Sequence, residues 1–235
     1  MMGKFRNVKI HSRSKADFPD FPVNSVEPEV KNRPLLWFGC VCERCELFLQ
    51  QITAGTNMRK LSMDELNRKS AEEFRRSEKI PIVVVLENIR SAYNVGSVFR
   101  TADAFLVEAI YICGYSAKPP HKEIKKTALG AEETVHWKHF KNAAEAISEL
   151  RNEQYKIFAV EQVENSISLE KFKTGSEKIA VVFGNEVTGV EQTTIQLCDG
   201  CIEIPQLGMK HSLNIATAAG VVLWELLRNK LNEIK

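Results

Sequence analysis

Three stretches of this 235-residue sequence combine glycine with polar side chains in patterns that could bind a ligand. The first contains Asn94, Gly96 and Arg100 at the start of a predicted helix. Asn94 is well placed to cap that helix, and Gly96 would leave open backbone N–H groups at the positive end, which attracts phosphate. Arg100 follows one turn later and could reach an anion held there. The alternative is a capped helix whose exposed arginine pairs with Asp103.

The second stretch follows an apolar strand that ends at Phe183 and continues through Gly184, Asn185 and Glu186 to a second glycine, Gly189. Gly184 would let a flat ligand approach the backbone, and Glu186 would bring a carboxylate to the edge of a sheet. The alternative is a plain strand-to-helix connection in which the glutamate favours the start of the next helix. The sequence contains no Gly-x-Gly-x-x-Gly fingerprint.

The third stretch ends a strand at Ile204 and Pro205 and leads to Ser212, Leu213 and Asn214. We expect Ser212 to N-cap the last helix and Asn214 to lie inside it. Helix interiors disfavour asparagine, so this position favours a functional role. For the rest of that helix, a simple core role is the better interpretation.

Basic residues are concentrated in two places. Four lysines follow a strand end within nine residues: Lys118, Lys122, Lys125 and Lys126. Charge runs usually form solvated faces, but beside an anion site this run could contact a phosphate backbone. A basic helix predicted over 63–76, with Ser62 and Glu65 as its capping box, adds Arg75 and Arg76.

Composition and charge placement narrow the function classes. Hydrophobic residues make up 44% of the chain and charged residues 26%, which is ordinary for a globular protein. The net charge is only +2, without the bulk basic excess that marks many nucleic-acid binders. Residues 1–57 hold 8 Lys+Arg against 6 Asp+Glu, residues 58–80 hold 7 against 5, and residues 81–235 hold 17 against 19. No apolar run approaches the ~20 residues of a membrane span, so we expect no membrane association.

Cysteine and histidine spacing predicts no metal site. Cys40, Cys42 and Cys45 form a C-x-C-x-x-C pattern without a nearby fourth ligand, which favours free thiols over zinc. The other three, Cys113, Cys198 and Cys201, fall in or beside apolar strands, as small core residues do. Because nothing suggests a disulfide framework, we expect a cytoplasmic protein.

The elements that must position these residues alternate between strand and helix. We predict strands over 82–86, 109–113, 134–137, 157–160, 179–183 and 201–204, and helices over 95–105, 121–129, 142–151, 191–197 and 212–230. This alternation predicts an α/β fold with a mainly parallel sheet and helices on both faces. Ligands then bind beyond the carboxyl ends of the strands, where the three stretches lie.

We expect three segments along the chain. Residues 1–57, which contain half of the prolines, are predicted to be an irregular extension, either disordered or not native. Met58 would then be a natural start. Residues 58–80 form the basic N-terminal helix, and 81–235 form the α/β domain that carries the three polar stretches.

Together the three stretches resemble the SpoU/TrmH family of RNA 2′-O-ribose methyltransferases, in the SPOUT superfamily, over residues 60–232. The matching positions are Asn94, Gly96, Arg100 and Ala102 in the first motif, Gly184, Glu186 and Gly189 in the second, and Ile204, Pro205, Ser212, Leu213 and Asn214 in the third. The sequence departs from the family at Leu106, where glycine is usual, at Gln206, where methionine is frequent, and at Ile215.

The resemblance implies an α/β knot with a C-terminal trefoil knot, a homodimer, and S-adenosyl-L-methionine as cofactor. It implies that the cofactor is bound near Phe183, Gly184, Asn185, Gly189, Ile204 and Leu213. Arg100 would be the catalytic arginine, supported by Asn94, Glu186, Ser212 and Asn214. The reaction would be in-line attack of a ribose 2′-hydroxyl on the sulfonium methyl of the cofactor. With a pKa above ~12, arginine is a poor base, so we expect Arg100 to bind phosphate and polarise the hydroxyl.

Two other functions fit the sequence less well. A non-catalytic RNA-binding protein of the same fold, such as an assembly factor, would not need Arg100, Glu186 and Asn214 together. A metabolic enzyme acting on a small phosphorylated substrate would explain an anion site but not the lysine run. Which RNA is modified stays open, with a tRNA guanosine as the first candidate.

Overall fold

The computed structural model describes residues 59–62, 64–66, 69–175, 177–209 and 212–233. The chain divides into two compact units, Met1–Lys60 and Leu61–Lys235, and almost all described residues belong to the second. The predicted extension over 1–57, with its three cysteines, lies outside the described residues. Within the part that is described, no helix is long and apolar enough to cross a membrane.

Seven parallel strands form one sheet in the order β3-β2-β1-β6-β4-β7-β5. They are β1 (Ile80–Glu87), β2 (Val107–Cys113), β3 (His136–Phe140), β4 (Lys156–Val160), β5 (Ile167–Ser168), β6 (Ile179–Phe183) and β7 (Gly200–Glu203). The predicted parallel sheet is confirmed. The two-residue edge strand β5 has no counterpart in the prediction because it is too short to show a period.

Helices cover both faces of the sheet. They are α1 (Ala71–Arg76), α2 (Ala92–Ala104), α3 (Lys122–Ala128), α4 (Ala131–Thr134), α5 (Ala143–Asn152), α6 (Gln192–Ile195) and α7 (Ile215–Glu233), with 3-10 turns at Asp64–Leu66 and Leu169–Lys171. Val84 and Leu86 of β1 pack with α2, α3 and α7, whereas Val83 and Val85 pack with α5 on the opposite face. Burial on both faces explains the unbroken β-branched run in β1. The α/β class is confirmed, and the C-terminal trefoil knot stays a prediction.

The predicted N-terminal helix is not continuous. Ser62 and Glu65 form their capping box around the 3-10 turn, as expected. Ser70 forms a second capping box with Glu73, and its extended backbone, at φ −66° and ψ 163°, starts a new helix instead of continuing the first. A second correction concerns Thr134, which ends α4 and does not start β3.

Leu106 stands where the resembled family usually has glycine, and its backbone explains that preference. The residue has a φ of 53°, in the left-handed region that side chains disfavour. Its carbonyl accepts a hydrogen bond from the Ile80 N–H at 2.9 Å, which ties the turn after α2 to the start of β1. Partial burial of the Leu106 side chain against the core offsets the strain of the turn.

Candidate active site

The carboxyl ends of the strands bring the three polar stretches together. Asn94 lies in the first turn of α2, which follows β1. Glu186 lies in the loop after β6, the neighbour of β1 in the sheet, and Asn214 directly precedes α7. Since all strands are parallel, these loops open on one edge, as the sequence predicts.

A hydrogen-bonded chain of side chains links the three stretches. The Nδ2 of Asn214 donates to Oδ1 of Asn94 at 3.2 Å, and the Nδ2 of Asn94 donates to Oε1 of Glu186 at 2.9 Å. The backbone N–H groups of Arg90 and Ser91 donate to the two Glu186 oxygens, at 2.8 and 3.1 Å. The residues joined by these contacts are separated by 92 to 120 positions in the sequence, so the contacts fix distant parts of the chain against each other.

The start of α2 differs from the prediction. Ser91, not Asn94, caps the helix, and its hydroxyl accepts from the Asn94 N–H at 3.4 Å. The carboxylate of Glu186 accepts from the Arg90 and Ser91 N–H groups just before this helix, so a negative charge of the protein already lies at its positive end. Gly96 lies inside the helix, where a Cβ would meet Oγ1 of Thr127 at 2.1 Å. This glycine therefore permits close packing of α2 on α3.

Hydrogen bonding keeps Glu186 charged. Partial burial raises its pKa, but the donors at Arg90, Asn94 and Ser91 outweigh this effect, and the pKa lies below its ordinary value of 4.5. An ionised Glu186 accepts hydrogen bonds only, so the Asn94 amide must present its nitrogen to it and its oxygen to Asn214. The carboxylate thereby sets the orientation of both asparagines.

The third stretch also requires a correction. The last helix begins at Ile215, and Asn214 rather than Ser212 is its cap. Oδ1 of Asn214 accepts from the Ala216 N–H at 2.9 Å, and its carbonyl accepts from the Ala218 N–H at 2.9 Å. Asn214 is therefore not an unfavourable interior residue: it caps α7 with one side-chain atom and contacts Asn94 with the other.

A cavity of about 300 Å³ opens beside this chain of side chains, at the ends of β4, β6 and β7. All six residues predicted to contact a cofactor line it: Phe183, Gly184, Asn185, Gly189, Ile204 and Leu213. Two of the predicted catalytic residues, Glu186 and Ser212, line it as well. Its size falls at the lower end of the range for small-molecule sites.

The lining of this cavity mixes apolar and polar residues, and its charged members are all acidic. Three glutamates, Glu161, Glu186 and Glu203, contribute to it, and no lysine or arginine is among the lining residues that the structure describes. Such a lining suits a ligand that carries positive charge and a flat apolar group. Two of the departures from the resembled family, Gln206 and Ile215, also lie here, so they alter the cavity wall itself.

Sequence reasoning missed Glu161. The residue directly follows β4, and its carboxylate accepts from the Gln162 N–H at 3.0 Å and the Val190 N–H at 3.0 Å. It thus joins the loop after β4 to the loop after β6. Its position at the carboxyl end of a strand was the available signal, but a single glutamate without glycines around it does not stand out.

Gly184 and Gly189 are required by the loop itself. A Cβ on Gly184 would lie 2.2 Å from the backbone of Gly189 and Val190, where the loop folds back in a bridge between Asn185 and Gly189. Gly189 has a φ of 72°, and a Cβ there would meet the Glu161 carboxylate at 2.2 Å. The two glycines therefore shape the cavity wall by close backbone approach.

Arg100 does not join the other predicted catalytic residues. It is exposed on α2, about 9 Å along the helix axis from Asn94, and does not line the cavity. Among the described residues it has no hydrogen bond or ion pair. The expected alternative partner, Asp103, instead accepts a hydrogen bond from Thr134 at 3.1 Å.

The basic residues predicted to contact RNA are all exposed: Arg75, Arg76, Lys118, Lys122, Lys125 and Lys126. Arg75 donates to the Glu133 carbonyl at 3.2 Å, and Arg76 pairs with Glu72 at 2.6 Å, both on the surface. Lys122 and Lys125 line a second cavity of about 460 Å³ next to Trp137.

Within the described residues, no group of three or more His, Cys, Asp or Glu side chains could hold a metal ion. Cys113 and Cys201 are buried free thiols, as expected of small core residues, and Cys198 is half-buried. Burial raises the pKa of the Cys113 and Cys198 thiols to about 12, which makes them poor nucleophiles.

Sequence comparison relates the chain to RNA-modifying enzymes. Residues 81–224 match the model of the SpoU rRNA Methylase family. The chain is 31% identical over 168 residues to the tRNA (guanosine(18)-2′-O)-methyltransferase of Thermus thermophilus, covering 71% of this chain and 84% of that protein. It is 29% identical over 167 residues to the 23S rRNA (guanosine-2′-O-)-methyltransferase RlmB of Vibrio vulnificus, covering 71% and 67%.

Solved structures agree on the fold. The TrmH/SpoU tRNA modifying enzyme of A. aeolicus superposes with a TM-score of 0.62 at 24% identity, covering 69% of this chain and 83% of that one. The SpoU methyltransferase AviRb of Streptomyces viridochromogenes, in complex with AdoMet, gives 0.59 at 20% identity, covering 74% and 63%. The family match spans more than half of the chain and includes all three motifs, so this protein belongs to the SpoU rRNA methylase family.

Proposed function

We propose that this enzyme transfers the methyl group of S-adenosyl-L-methionine to the ribose 2′-hydroxyl of a guanosine in tRNA or rRNA. The observation that carries the proposal is the cavity at the ends of β4, β6 and β7, in direct contact with Glu186 of the side-chain network. The curated relatives act on guanosines in both RNA classes, and tRNA is the first substrate to test.

The cavity residues fit the cofactor. S-adenosylmethionine carries a sulfonium and an ammonium group, which the carboxylates of Glu161, Glu186 and Glu203 would attract. Phe183 and Leu213 offer apolar surface for an adenine ring. When bound, the cofactor supplies an electrophilic methyl group. The loop glycines let the backbone segments approach each other closely enough to form the wall of the cavity.

The side chains around the cavity orient the substrate and do not act as bases. Glu186, held ionised, fixes Asn94 and Asn214 at one edge of the cavity, where they can present polar atoms to a ribose. Alignment of the hydroxyl with the methyl group can supply much of the rate acceleration. We infer that Arg100 binds the phosphate of the target nucleotide and polarises its 2′-hydroxyl. A guanidinium suits both roles because it is a forked donor that stays charged.

An exposed apolar face beside the helix that carries Arg100 supports a homodimer. Val221 and Trp224 of α7 are 40% and 52% exposed, and the Trp224 ring lies 6.0 Å from that of Phe105, just after α2. A second copy covering this apolar face would lie beside the helix that carries Arg100 and could complete the site. Replacing Trp224 with glutamate should give monomers in light scattering and reduce transfer, whereas dimers of this variant would contradict the proposed interface.

The proposed RNA contacts are the exposed basic residues of α1 and of the segment that includes α3: Arg75, Arg76, Lys118, Lys122, Lys125 and Lys126. Removal of one phosphate contact should reduce the slope of the logarithm of RNA affinity against the logarithm of salt concentration by about one unit. We further propose a cytoplasmic location, consistent with free buried thiols and an RNA substrate.

Transfer of labelled methyl groups from the cofactor to total tRNA and total rRNA tests the proposal. We expect incorporation into one of these pools and protection of one ribose from alkaline cleavage. The Arg100→Lys variant should lose most activity while keeping cofactor affinity, since lysine lacks the forked donor. Cofactor binding without transfer to either pool would contradict the proposal and favour a non-catalytic RNA-binding role. The comparisons give that role no support.

A further inference from the structure

An aromatic side chain that the three motifs do not include stands next to the cavity. Tyr115 follows β2 at the carboxyl edge of the sheet, two residues after the strand ends. It is 65% exposed. Tyr115 belongs neither to the motifs nor to the cavity lining, and it is not among the predicted RNA contacts.

The exposed ring of Tyr115 is held at both ends. Its backbone N–H donates to Oδ1 of Asn88 at 3.3 Å, and its hydroxyl oxygen accepts from Nδ2 of Asn185 at 2.7 Å. Asn185 also donates to the Asn88 carbonyl at 2.9 Å. Gly114 has a φ of 66° and lies so close to Asn88 that a Cβ would meet its Oδ1 at 2.0 Å. The turn therefore fixes the ring while leaving its surface in solvent.

Asn185 connects this ring to the cofactor cavity. Its side chain lines the cavity, and its Oδ1 accepts from the N–H groups of Val187 and Thr188 at 2.8 and 3.1 Å. The same amide group thus holds both the cavity loop and Tyr115. A group that rests on the Tyr115 ring would therefore lie one side chain away from the cavity lining.

The charges around Tyr115 favour RNA as the occupant. Arg90, whose backbone N–H binds Glu186, and Lys118, three residues after Tyr115, are both exposed. The nearby Glu191 carboxylate accepts from Nδ2 of Asn88 at 2.7 Å, which satisfies part of its hydrogen-bonding capacity. A fixed, exposed aromatic ring on an edge that also carries exposed cations is the kind of surface on which a nucleobase stacks while its phosphates meet positive charge.

We propose that Tyr115 is a positioning residue on which a nucleobase of the substrate RNA stacks, so that the adjoining ribose faces the cofactor cavity. This inference rests on the proposed function and adds a base contact to it. The ring makes the stacking contact and the hydroxyl only helps to hold the ring, so Y115F should keep most of the base contact and Y115A should lose it. Loss of one stacked base should weaken RNA binding about tenfold.

Binding of two single-stranded RNA 12-mers tests the inference, one of uridines and one with the same backbone but without bases. The wild-type protein should bind the uridine 12-mer about tenfold more tightly than the abasic one, and Y115F should keep most of this preference. Y115A should bind both equally, with unchanged affinity for the abasic 12-mer. Y115L keeps the bulk of the side chain and should behave as Y115A. It controls for misfolding, which thermal unfolding of each variant monitors.

A base preference that survives in Y115A and Y115L, or its absence from the wild-type protein, would overturn the role of Tyr115. Equal loss in Y115F and Y115A would overturn it too, because the hydroxyl rather than the ring would then matter. Methyl transfer by the wild-type protein is measured separately. Transfer without a Tyr115-dependent base preference contradicts this inference alone, whereas a base preference without transfer contradicts the proposed function alone.

Discussion

Replacing Glu186 with glutamine should separate its role in holding the site from any general effect on folding. The carboxylate accepts hydrogen bonds from the Arg90 and Ser91 N–H groups and from the Asn94 amide. Glutamine keeps one acceptor oxygen, but its NH2 group must face an N–H donor. The variant therefore loses at least one of the three hydrogen bonds and the charge at the start of α2.

We expect a loss of about 1–2 kcal/mol in the free energy of unfolding. Hydrogen bonds to charged groups contribute about 1.5–3 kcal/mol, and the exposure of Glu186 places this loss toward the lower end because solvent screens the charge. The folded-state pKa lies below the ordinary 4.5, so the carboxylate stabilises the fold at pH values above that. This stabilisation is lost as the pH falls through the folded-state pKa.

Urea unfolding of the wild-type protein and E186Q at pH 7 and at pH 3 measures both effects. The difference should be full at pH 7 and smaller at pH 3. Glu170, which is exposed and has no hydrogen-bond partner in the described structure, provides the control E170Q, whose stability should match wild type. Methyl transfer by E186Q should fall more than cofactor affinity. A stability difference that is the same at both pH values, or absent at pH 7, would refute the reasoning.

Substitutions at three other positions of the site, with Gly208 as a control, give further tests. Gly96→Ala should cost about 1–3 kcal/mol in unfolding experiments, because the new Cβ would lie 2.5 Å from the Ile124 carbonyl, and an unchanged stability would contradict the close helix contact. Gly184→Ala should weaken cofactor binding at least tenfold in calorimetry by displacing the loop backbone, whereas Gly208→Ala, with open space around it, should not. Asn214→Ala should lose about 0.5–2 kcal/mol of stability and most activity, whereas Asn214→Asp should keep the cap and the stability but lose activity. Full activity of the aspartate variant would argue against the Asn214–Asn94 contact.

Much of the fold could be predicted because its signals are local. The β-branched run of β1 and the apolar run of β6 mark strands buried on both faces, and such strands alternate with helical patterns. Parallel strands in turn place the loops after β1 and β6 on one edge. The sequence therefore predicted which loops meet, and all six predicted cofactor residues line one cavity.

Helix starts were predicted less well because several polar residues compete for the cap. Ser91 and Asn94 both precede apolar residues of α2, and so do Ser212 and Asn214 before α7. The choice depends on the side chain that each residue meets in the fold. Asn94 is engaged by Glu186 and Asn214, which come from distant parts of the chain, and this leaves the cap of α2 to Ser91.

The sequence by itself determined the parallel α/β class, the family motifs and six of the residues that line the cavity, since strand period and motif spacing are properties of neighbouring residues. Only the tertiary structure decided that Glu186 occupies the helix start expected to bind phosphate, that Gly96 serves helix packing, and that Arg100 stands apart from the cavity. These facts depend on contacts between residues far apart in the chain, whose distances no local pattern encodes.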